Sequence, residues 1–416
     1  MTKPSVWILN HYANLPGYPG PTRHYDLAKR LVQRGFDVTV IASSFRRTAG
    51  ILPVTGREPF LTGMIEGIRF VWLRADVTYS ANDAARVRNM VEFAWRAWRY
   101  GRSRFGGAIP SPDVVVGSSP HLLTPVAAWL LARKFRARFV FEVRDLWPET
   151  FVAFGFLSRW NPLVVGLRVL ERFLYRRSAK VISLLPEGWR YITRCGVPKE
   201  RIVWVPNGVN PSKEVVPRAD EQRPFTVMYL GSQGRSNVLE DLILASSLLQ
   251  ESGANIRVVL VGGGKSKHEL VSMAEERLLT NVEFRGEIPK NCVFEVMEEA
   301  DAFVALLEDT PLYRYGVSLN KLFDYMNAGR PVILAGDPAH NYVELAECGI
   351  TIPPRSASEL SAAVMRLAEM SPEARRAMGE RGRAYVRAHH DWDLLGERLA
   401  NALDSAVGVP RSIRGN

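Results

Sequence analysis

Twice along this chain a short apolar run leads into a glycine-rich loop and then into a helical pattern, and that repeat most narrows what the chain can fold into. The first run is Val6-Trp7-Ile8-Leu9, followed by Pro16-Gly17-Tyr18-Pro19-Gly20-Pro21 and a helical pattern from Thr22 to Arg34. The second is Phe225 to Leu230, followed by Gly231-Ser232-Gln233-Gly234-Arg235-Ser236 and a helix near Leu239 to Glu251. Strand, glycine-rich loop and helix in that order open a doubly wound unit, in which ligands sit at the loop. Further strands are predicted at Phe36 to Ser43, Gly67 to Leu73, Asp113 to Val116, Arg138 to Val143, Val181 to Leu184 and Ile202 to Val205. The second series continues at Ile256 to Val261, Val282 to Arg285, Ala302 to Leu307, Val332 to Ala335 and Gly349 to Ile352. Short apolar strands alternating with helices imply parallel sheets covered on both faces.

At 416 residues the chain exceeds one ordinary core. The polar, proline-marked stretch 210–224 places the boundary between a first domain, 1–212, and a second, 213–388. The remaining segment, 389–416, reads as a helical tail, because Trp392, Leu395, Leu399 and Leu403 keep one stripe. Packing back on the first domain and packing on its own domain are both open. No uninterrupted apolar run reaches the roughly 18 residues of a membrane span, and the N-terminal apolar run is broken by Asn10 and His11 too early for a signal peptide. A cytoplasmic protein is expected. Cys195, Cys292 and Cys348 are widely spaced and predict neither a disulfide framework nor a zinc site.

Charge is uneven: residues 1–212 hold 31 Lys and Arg against 14 Asp and Glu, whereas 213–416 hold 23 against 29. A polyanion, an anionic membrane surface or an acidic substrate would each suit a basic first half. Residues 86–104 combine six arginines with Phe93, Trp95, Trp98 and Tyr100, and Val87, Met90, Val91, Ala94 and Trp98 share one predicted helical face. An interfacial helix needs that mixture of apolar face, headgroup-depth aromatics and cations; residues 156–177 repeat it. Core helices with a solvated basic rim are the alternative.

The stretch from Ser318 to Pro331 reads as a polar loop entering a short helix that Gly329 stops. A helix start presents free N–H groups and the positive dipole end, so this one is a candidate anion site. Lys321 and Asp324 lie three residues apart on it.

Five segments in this order resemble the retaining GT-B glycosyltransferases of family 4, in particular the bacterial branch that builds O-antigen, capsule and exopolysaccharide. They are Gly17-Tyr18-Pro19-Gly20-Pro21-Thr22-Arg23, Phe141 to Glu149, Val205-Pro206-Asn207-Gly208-Val209, Leu260-Val261-Gly262-Gly263-Gly264, and Asn320 to Pro331. The resemblance spans nearly the whole chain. It implies two Rossmann-like domains facing a cleft, with a nucleotide-sugar donor held by the second and an acceptor by the first.

By that resemblance, Arg235 and Lys321 are the cations for the departing diphosphate, Asp324 meets the ribose hydroxyls, and Gly17 and Gly20 close over the donor. Gly263, Gly286, Ile288, Ser318, Leu319 and Asn320 complete the donor set. The sequence departs from the family pattern in four places: Asp324 stands for its second glutamate, the Ser118-Ser119-Pro120-His121 turn replaces a histidine after the Asp113–Val116 strand, and two further departures lie in the second domain. Gly316 stands where relatives carry the first glutamate of a Glu-x7-Glu pair, and Asn237 stands where they carry a second cation. In the first domain His121 and Arg144 are acceptor candidates. Asp145 or Glu149 could orient or deprotonate the acceptor hydroxyl; an ion-pair network of these carboxylates with Arg144 is the structural alternative.

The expected reaction is transfer of a sugar, with retention, from a UDP-type nucleotide diphosphate to a lipid-linked saccharide in cell-surface polysaccharide synthesis. No metal or other cofactor is expected. The expected partners are the nucleotide sugar, the lipid-linked acceptor and an anionic membrane surface met through 86–104 and 156–177, with peripheral attachment at the inner face of the cytoplasmic membrane and no nucleic acid. A nucleotide-sugar epimerase on the same fold and a non-enzymatic binder of membranes or nucleic acid are the competing readings.

Overall fold

The computed structural model describes residues 4–18, 20–46, 50–51, 58–79, 84–211, 223–289 and 292–408. The chain divides into two compact units, Met1–Pro206 with Trp392–Asn416, and Asn207–Asp391. The division falls at Pro206 and Asp391 rather than at 212 and 388. Pro19 of the first glycine loop and most of the proline-marked stretch, 212–222, lie outside the described residues.

The first unit contains an eight-stranded sheet in the spatial order Ile202–Trp204, Lys180–Ser183, Arg138–Val143, Val114–Ser118, Ser5–Leu9, Asp37–Ser43, Ile68–Leu73, Phe60–Ile65. Neighbours pair in parallel except the last, which folds back antiparallel on Ile68–Leu73. That edge strand has no sequence signal, because Thr62 and Gly63 break any apolar alternation and the strand is half open to solvent. The inner strands are buried on both faces and read as unbroken apolar runs.

Side-chain alternation assigns the two faces of this sheet. Val6, Ile8, Val38, Val40, Val114, Val116 and Val140 pack with the helices Arg23–Gln33 and Trp392–Val407 in one core. On the opposite face Trp7 meets Phe105 and Phe135, and Phe141 meets Tyr175. The helices Ala84–Gly101, Leu123–Phe135 and Pro162–Arg177 cover that side. The C-terminal helix belongs to this unit through close packing: a Cβ on Gly396 would press on the Arg30 side chain, and Arg30 Nε donates to Asp393 Oδ1 at 3.0 Å.

The second unit holds a fully parallel sheet in the order Val282–Arg285, Ile256–Val261, Phe225–Leu230, Ala302–Leu306, Val332–Ala335, Gly349–Ile352. Numbered along the chain this is 3-2-1-4-5-6, the order of the dinucleotide-binding fold. The order reverses between Phe225–Leu230 and Ala302–Leu306, and ligands bind at the carboxyl ends of strands at such a reversal. The corresponding point in the first unit lies between Ser5–Leu9 and Val114–Ser118.

Candidate functional site: a helix start and a buried lysine at the switch point

In the second unit the helix Asn320–Ala328 begins beside the switch point. Tyr325 fixes it there: its hydroxyl donates to Leu230 O at 2.9 Å and accepts from Leu230 N–H at 2.8 Å. Its ring also stacks on Phe303 at 4.5 Å. Four buried residues around it, Leu322, Phe323, Met326 and Ala328, supply the apolar face predicted for this stretch. Gly329 ends the helix with φ +71°, a left-handed position that suits glycine.

The helix start has no side-chain cap, so its first-turn N–H groups keep the partial positive charge that attracts anions. Its approach is held from behind. Asn207 N–H donates to Ser318 Oγ at 2.9 Å and Asn207 Nδ2 donates to Ser318 O at 2.6 Å. His390 Nδ1 pairs with Asn207 O at 3.0 Å, and its ring stacks on Phe323 at 4.0 Å. Asn207, quoted in the sequence only as part of a motif, is therefore the residue that shapes the Ser318–Asn320 entry.

Lys321 turns toward Gly231, where a Cβ would lie 3.2 Å from its Cε. Its Nζ donates to Tyr229 Oη and to Asn237 Oδ1, each at 2.6 Å, and sits 4.3 Å from the centre of the Tyr229 ring. Burial of the amine pulls its pKa down to about 7. Asn237 occupies the position of the missing second cation, and the structure gives it a different task, holding the remaining one. Arg235 lies two residues away on the short helical turn Arg235–Asn237, exposed and without an ion pair among the described residues.

Glycines bring the adjoining loops together. A Cβ on Gly262 would run into the carbonyl oxygen of Gly231, and one on Gly264 into that of Gln233. The approach is sealed by Gly231 N–H to Val261 O at 3.0 Å and Gln233 N–H to Gly263 O at 2.8 Å. Gly262 N–H donates to Gly286 O at 3.1 Å, which draws in the turn of Gly286, Glu287 and Ile288. A Cβ on Gly263 would meet Glu287 Oε1 at 2.6 Å, and Ile288 packs partly against the core under the helix start. One region of the second unit thus gathers Arg235, Lys321, Gly263, Gly286, Ile288, Ser318, Leu319 and Asn320, with half-buried Asp324 on the same helix. Gly316 sits just before it with φ +81° and ψ −177°, a conformation that a glutamate would enter only under strain.

In the first unit the charged side chains of the segment Phe141 to Glu149 take separate partners. Glu142 is buried and ties Arg23, His24 and Ser118: Arg23 Nε donates to Oε1 at 3.0 Å, His24 Nε2 is 2.8 Å from Oε2, and Ser118 Oγ donates to Oε2 at 2.5 Å. Burial alone would raise its pKa, but the Arg23 and His24 charges and these hydrogen bonds hold it well below the usual carboxylate value. Arg23 spends its other N–H groups on Pro206 O and Val205 O. Glu149 is gripped by both arms of Arg168, at 2.7 and 3.0 Å. Among the described residues no ion pair joins Arg144 to these carboxylates. The Arg144 backbone N–H goes to Ser119 Oγ at 2.8 Å. Asp145 carries no hydrogen bond on its carboxylate among the described residues. Its surface is open to water, yet the protein crowded around the carboxyl desolvates it enough to raise its pKa, with the Arg144 charge opposing.

His121 is buried at the switch point of this unit, with Nε2 2.9 Å from His11 Nδ1. Burial pulls its pKa down to about 3, helped by the Arg86 charge, so it is neutral, and its Nδ1 has no hydrogen-bond partner among the described residues. The His11 ring is stacked between Tyr12 at 4.4 Å and Phe93 at 4.6 Å. His11 and Tyr12 follow the first strand without any spacing that marks them, so sequence reasoning passed over them. Gly17 and Gly20 lie on the exposed loop that follows, Gly20 with φ +113°.

Two doubly wound parallel-sheet domains in tandem, the second with a helix start at its switch point, are the architecture of the GT-B class of glycosyltransferase folds. Residues 20–208 match the family described as glycosyl transferase 4-like domain, and residues 213–385 match the family described as glycosyl transferases group 1. The chain is a tandem of these two glycosyltransferase domains.

Among curated proteins it is similar to a GDP-mannose-dependent monoacylated α-(1-6)-phosphatidylinositol monomannoside mannosyltransferase of Corynebacterium glutamicum, 26% identical over 215 residues. The match covers 48% of this chain and 55% of that relative, about half the length of each. Among solved structures, sucrose-phosphate synthase of Thermosynechococcus elongatus is 18% identical with a TM-score of 0.73, covering 98% of this chain and all of that one. WaaG, a glycosyltransferase involved in lipopolysaccharide biosynthesis, is 21% identical with a TM-score of 0.66, over 96% and 99% of the two chains. Anabaena HepE in complex with UDP and glucose is 15% identical with a TM-score of 0.64, over 96% and 99%. These likenesses carry the fold.

Proposed function

We propose that the chain transfers a sugar, with retention, from a nucleoside diphosphate sugar to a saccharide carried on a lipid, in the synthesis of a cell-surface polysaccharide such as O-antigen, capsule or exopolysaccharide. The observation that carries the reading is the uncapped start of Asn320–Ala328 beside Lys321, whose amine is positioned by Tyr229 and Asn237 rather than neutralised by a carboxylate. A departing diphosphate gains negative charge as the glycosidic bond breaks, and fixed N–H dipoles with a desolvated cation stabilise that charge without reorganisation. Arg235 supplies a second, mobile cation, and Asp324 accepts from the ribose hydroxyls. Gly286 and Ile288 border the base. In the first unit His121 meets the acceptor with its open Nδ1, alongside Arg144.

Of the two candidate acceptor carboxylates, Asp145 is favoured over Glu149, which Arg168 already occupies. A raised pKa suits a group that takes a proton from a hydroxyl. The acceptor hydroxyl attacks the anomeric carbon of the donor sugar from the face the diphosphate leaves: the bond to the diphosphate oxygen breaks as the new glycosidic bond forms, the diphosphate departs with that electron pair, and the hydroxyl proton passes to Asp145. Among the described residues no helix is long and apolar enough to cross a membrane, so a lipid-borne acceptor would be met by peripheral attachment through 86–104 and 156–177.

A thermal-shift screen of UDP, GDP and dTDP and their sugars tests the donor site, because a ligand that binds only the folded state raises its stability. UDP is expected to give the largest shift; GDP is the second arm because the Corynebacterium relative is GDP-mannose-dependent. A shift that survives intact in both Lys321→Ala and Asp324→Ala would remove the site from consideration. Donor consumed without any acceptor, yielding an isomeric sugar nucleotide, would favour the epimerase reading instead.

A further inference from the structure

The basic excess of the first unit is not spread over its surface. The three helices that cover one face of the sheet, with the residues at their ends (84–104, 122–138 and 156–177), carry fifteen Arg and Lys against two carboxylates. One of those carboxylates, Glu171, is buried and turned inward to Tyr175 and Tyr191. The segments on the opposite face, 23–34 and 392–407, carry five against four.

The same face holds most of the unit's exposed large apolar residues, Leu61 and Met64 of the edge strand Phe60–Ile65 being the others among the described residues. On Ala84–Gly101 the buried stripe is Met90, Phe93 and Ala97, which leaves Val87, Val91 and Trp95 open to solvent at 57, 51 and 49%. The sequence-predicted face of Val87, Met90, Val91, Ala94 and Trp98 is therefore split between the two sides. The helix is two-faced because its apolar residues fill more than one stripe, and the sheet takes the one with Phe93. Across the middle helix, Phe156, Trp160, Leu163, Val165 and Val169 form a second apolar group, Trp160 being 73% exposed. Along Pro162–Arg177 the open side is apolar in the first two turns, and then turns cationic at Arg172, Arg176 and Arg177. Helices on the opposite face expose no large apolar side chain among the described residues.

Cations and rings are also paired here. Guanidinium groups lie over aromatic rings at Arg99–Trp95, Arg102–Trp98, Arg133–Trp129, Arg159–Trp160 and Arg177–Phe173, 4.6–5.4 Å from the ring centres for all five. Such pairs place positive charge at the level where an aromatic ring lies in a lipid headgroup layer.

We propose that this three-helix face docks on an anionic phospholipid bilayer, with Phe156, Trp160 and Leu163 entering the acyl boundary and the arginines meeting lipid phosphates. The proposal rests on the lipid-borne acceptor reading and names the surface that would bring the enzyme to it. A bilayer fits better than a nucleic acid, because the aliphatic Leu163, Val165 and Val169 have no base or phosphate to recognise, whereas an acyl layer takes them directly. The opposite face, with Arg23–Gln33 and Trp392–Val407, stays in water.

The full chain is tested by sedimentation with vesicles of phosphatidylglycerol and phosphatidylethanolamine, and with vesicles of phosphatidylcholine alone. Binding is expected only to the anionic vesicles, weakening as salt is raised. The Phe156→Ser/Trp160→Ser double variant should lose at least about tenfold in vesicle affinity, and Arg159→Glu/Arg172→Glu should do the same. Leu278→Ser, at a residue 80% exposed in the second unit, should bind as wild type. Unfolding temperatures of the variants exclude a folding defect. Equal binding to phosphatidylcholine, unchanged binding by both double variants, or preference for an oligonucleotide over anionic vesicles would overturn the proposal. Vesicle binding in a protein that shows no nucleotide shift would leave this face standing and defeat the transferase reading; a nucleotide shift without vesicle binding would do the reverse.

Discussion

Lys321 Nζ and Asn237 Oδ1 are 2.6 Å apart, and among the described residues no carboxylate forms an ion pair with that lysine. An amine held by two neutral oxygen atoms in a desolvated place gives up its proton more readily than an exposed lysine and is charged more fully when an anion lies beside it. In this it differs from Arg285, which is fully matched by Glu283 and Glu299 in the same unit.

Burial lowers the Lys321 pKa from 10.5 to about 7. The folded state then binds this proton more weakly than the unfolded state, so this group makes stability rise with pH between about 7 and 10.5. A bound diphosphate favours the charged form, so nucleotide binding near pH 8 should take up a proton. Calorimetry in buffers of different ionisation heat measures that uptake. Lys321→Met should abolish it and weaken turnover by about a hundredfold; uptake of the same size in the variant would place the titration elsewhere.

Gly262→Ala should be poorly tolerated although it adds one methyl group. That methyl would strike the Gly231 carbonyl, and φ +132° is strained for alanine. The two loops must part, costing roughly 1–3 kcal/mol and moving Gly231 away from Lys321. Gly253→Ala, at a turn with open space around it, supplies the comparison. A Gly262→Ala protein with wild-type nucleotide shift would show that the loops can separate without disturbing the site.

Glu142→Ala should destabilise the first unit by about 3–5 kcal/mol, because it strands the buried Arg23 charge. The Glu142 pKa is depressed in the fold, so its contribution is present above the unfolded value of 4.5 and is lost as pH falls through the lower folded value. Urea unfolding at neutral and acid pH should show the variant's deficit shrinking in acid; a deficit independent of pH would point to packing alone.

Glu171 is the opposite case. Burial raises its pKa to about 8, against the hydrogen bonds from Tyr191 and Tyr175. A carboxyl raised in the fold favours folding below 4.5 and loses that advantage as pH rises through about 8. Glu171→Gln keeps an acceptor oxygen and removes the charge, so its unfolding temperature should fall less than wild type's between pH 5 and pH 9. Parallel curves would show that Glu171 does not titrate in that range.

Much of the candidate site was legible because it is local. The helix start at Asn320, the Gly329 stop and the Gly262–Gly264 turn lie within short segments whose residues act on their own backbone, and Lys321 stands among them. The Gly316 and Asn237 departures were visible too, but not what replaced the missing groups. Tyr229 reads as one more strand residue; only the pairing of two loops shows that its hydroxyl and the Asn237 amide serve the same amine.

What the sequence by itself determined is the alternation of strands and helices, the two glycine-rich openings and the excess of arginine in the first half, all properties of near neighbours or of composition. What only the tertiary structure decided is which charges meet and which apolar stripe is covered. Glu142 finds Arg23 and His24 more than a hundred positions away, not Arg144 two positions on. On Ala84–Gly101 the sheet buries Met90, Phe93 and Ala97 and leaves Val87, Val91 and Trp95 in the open. Periodicity is the same for both stripes, and only the surface that packs against the helix can tell them apart.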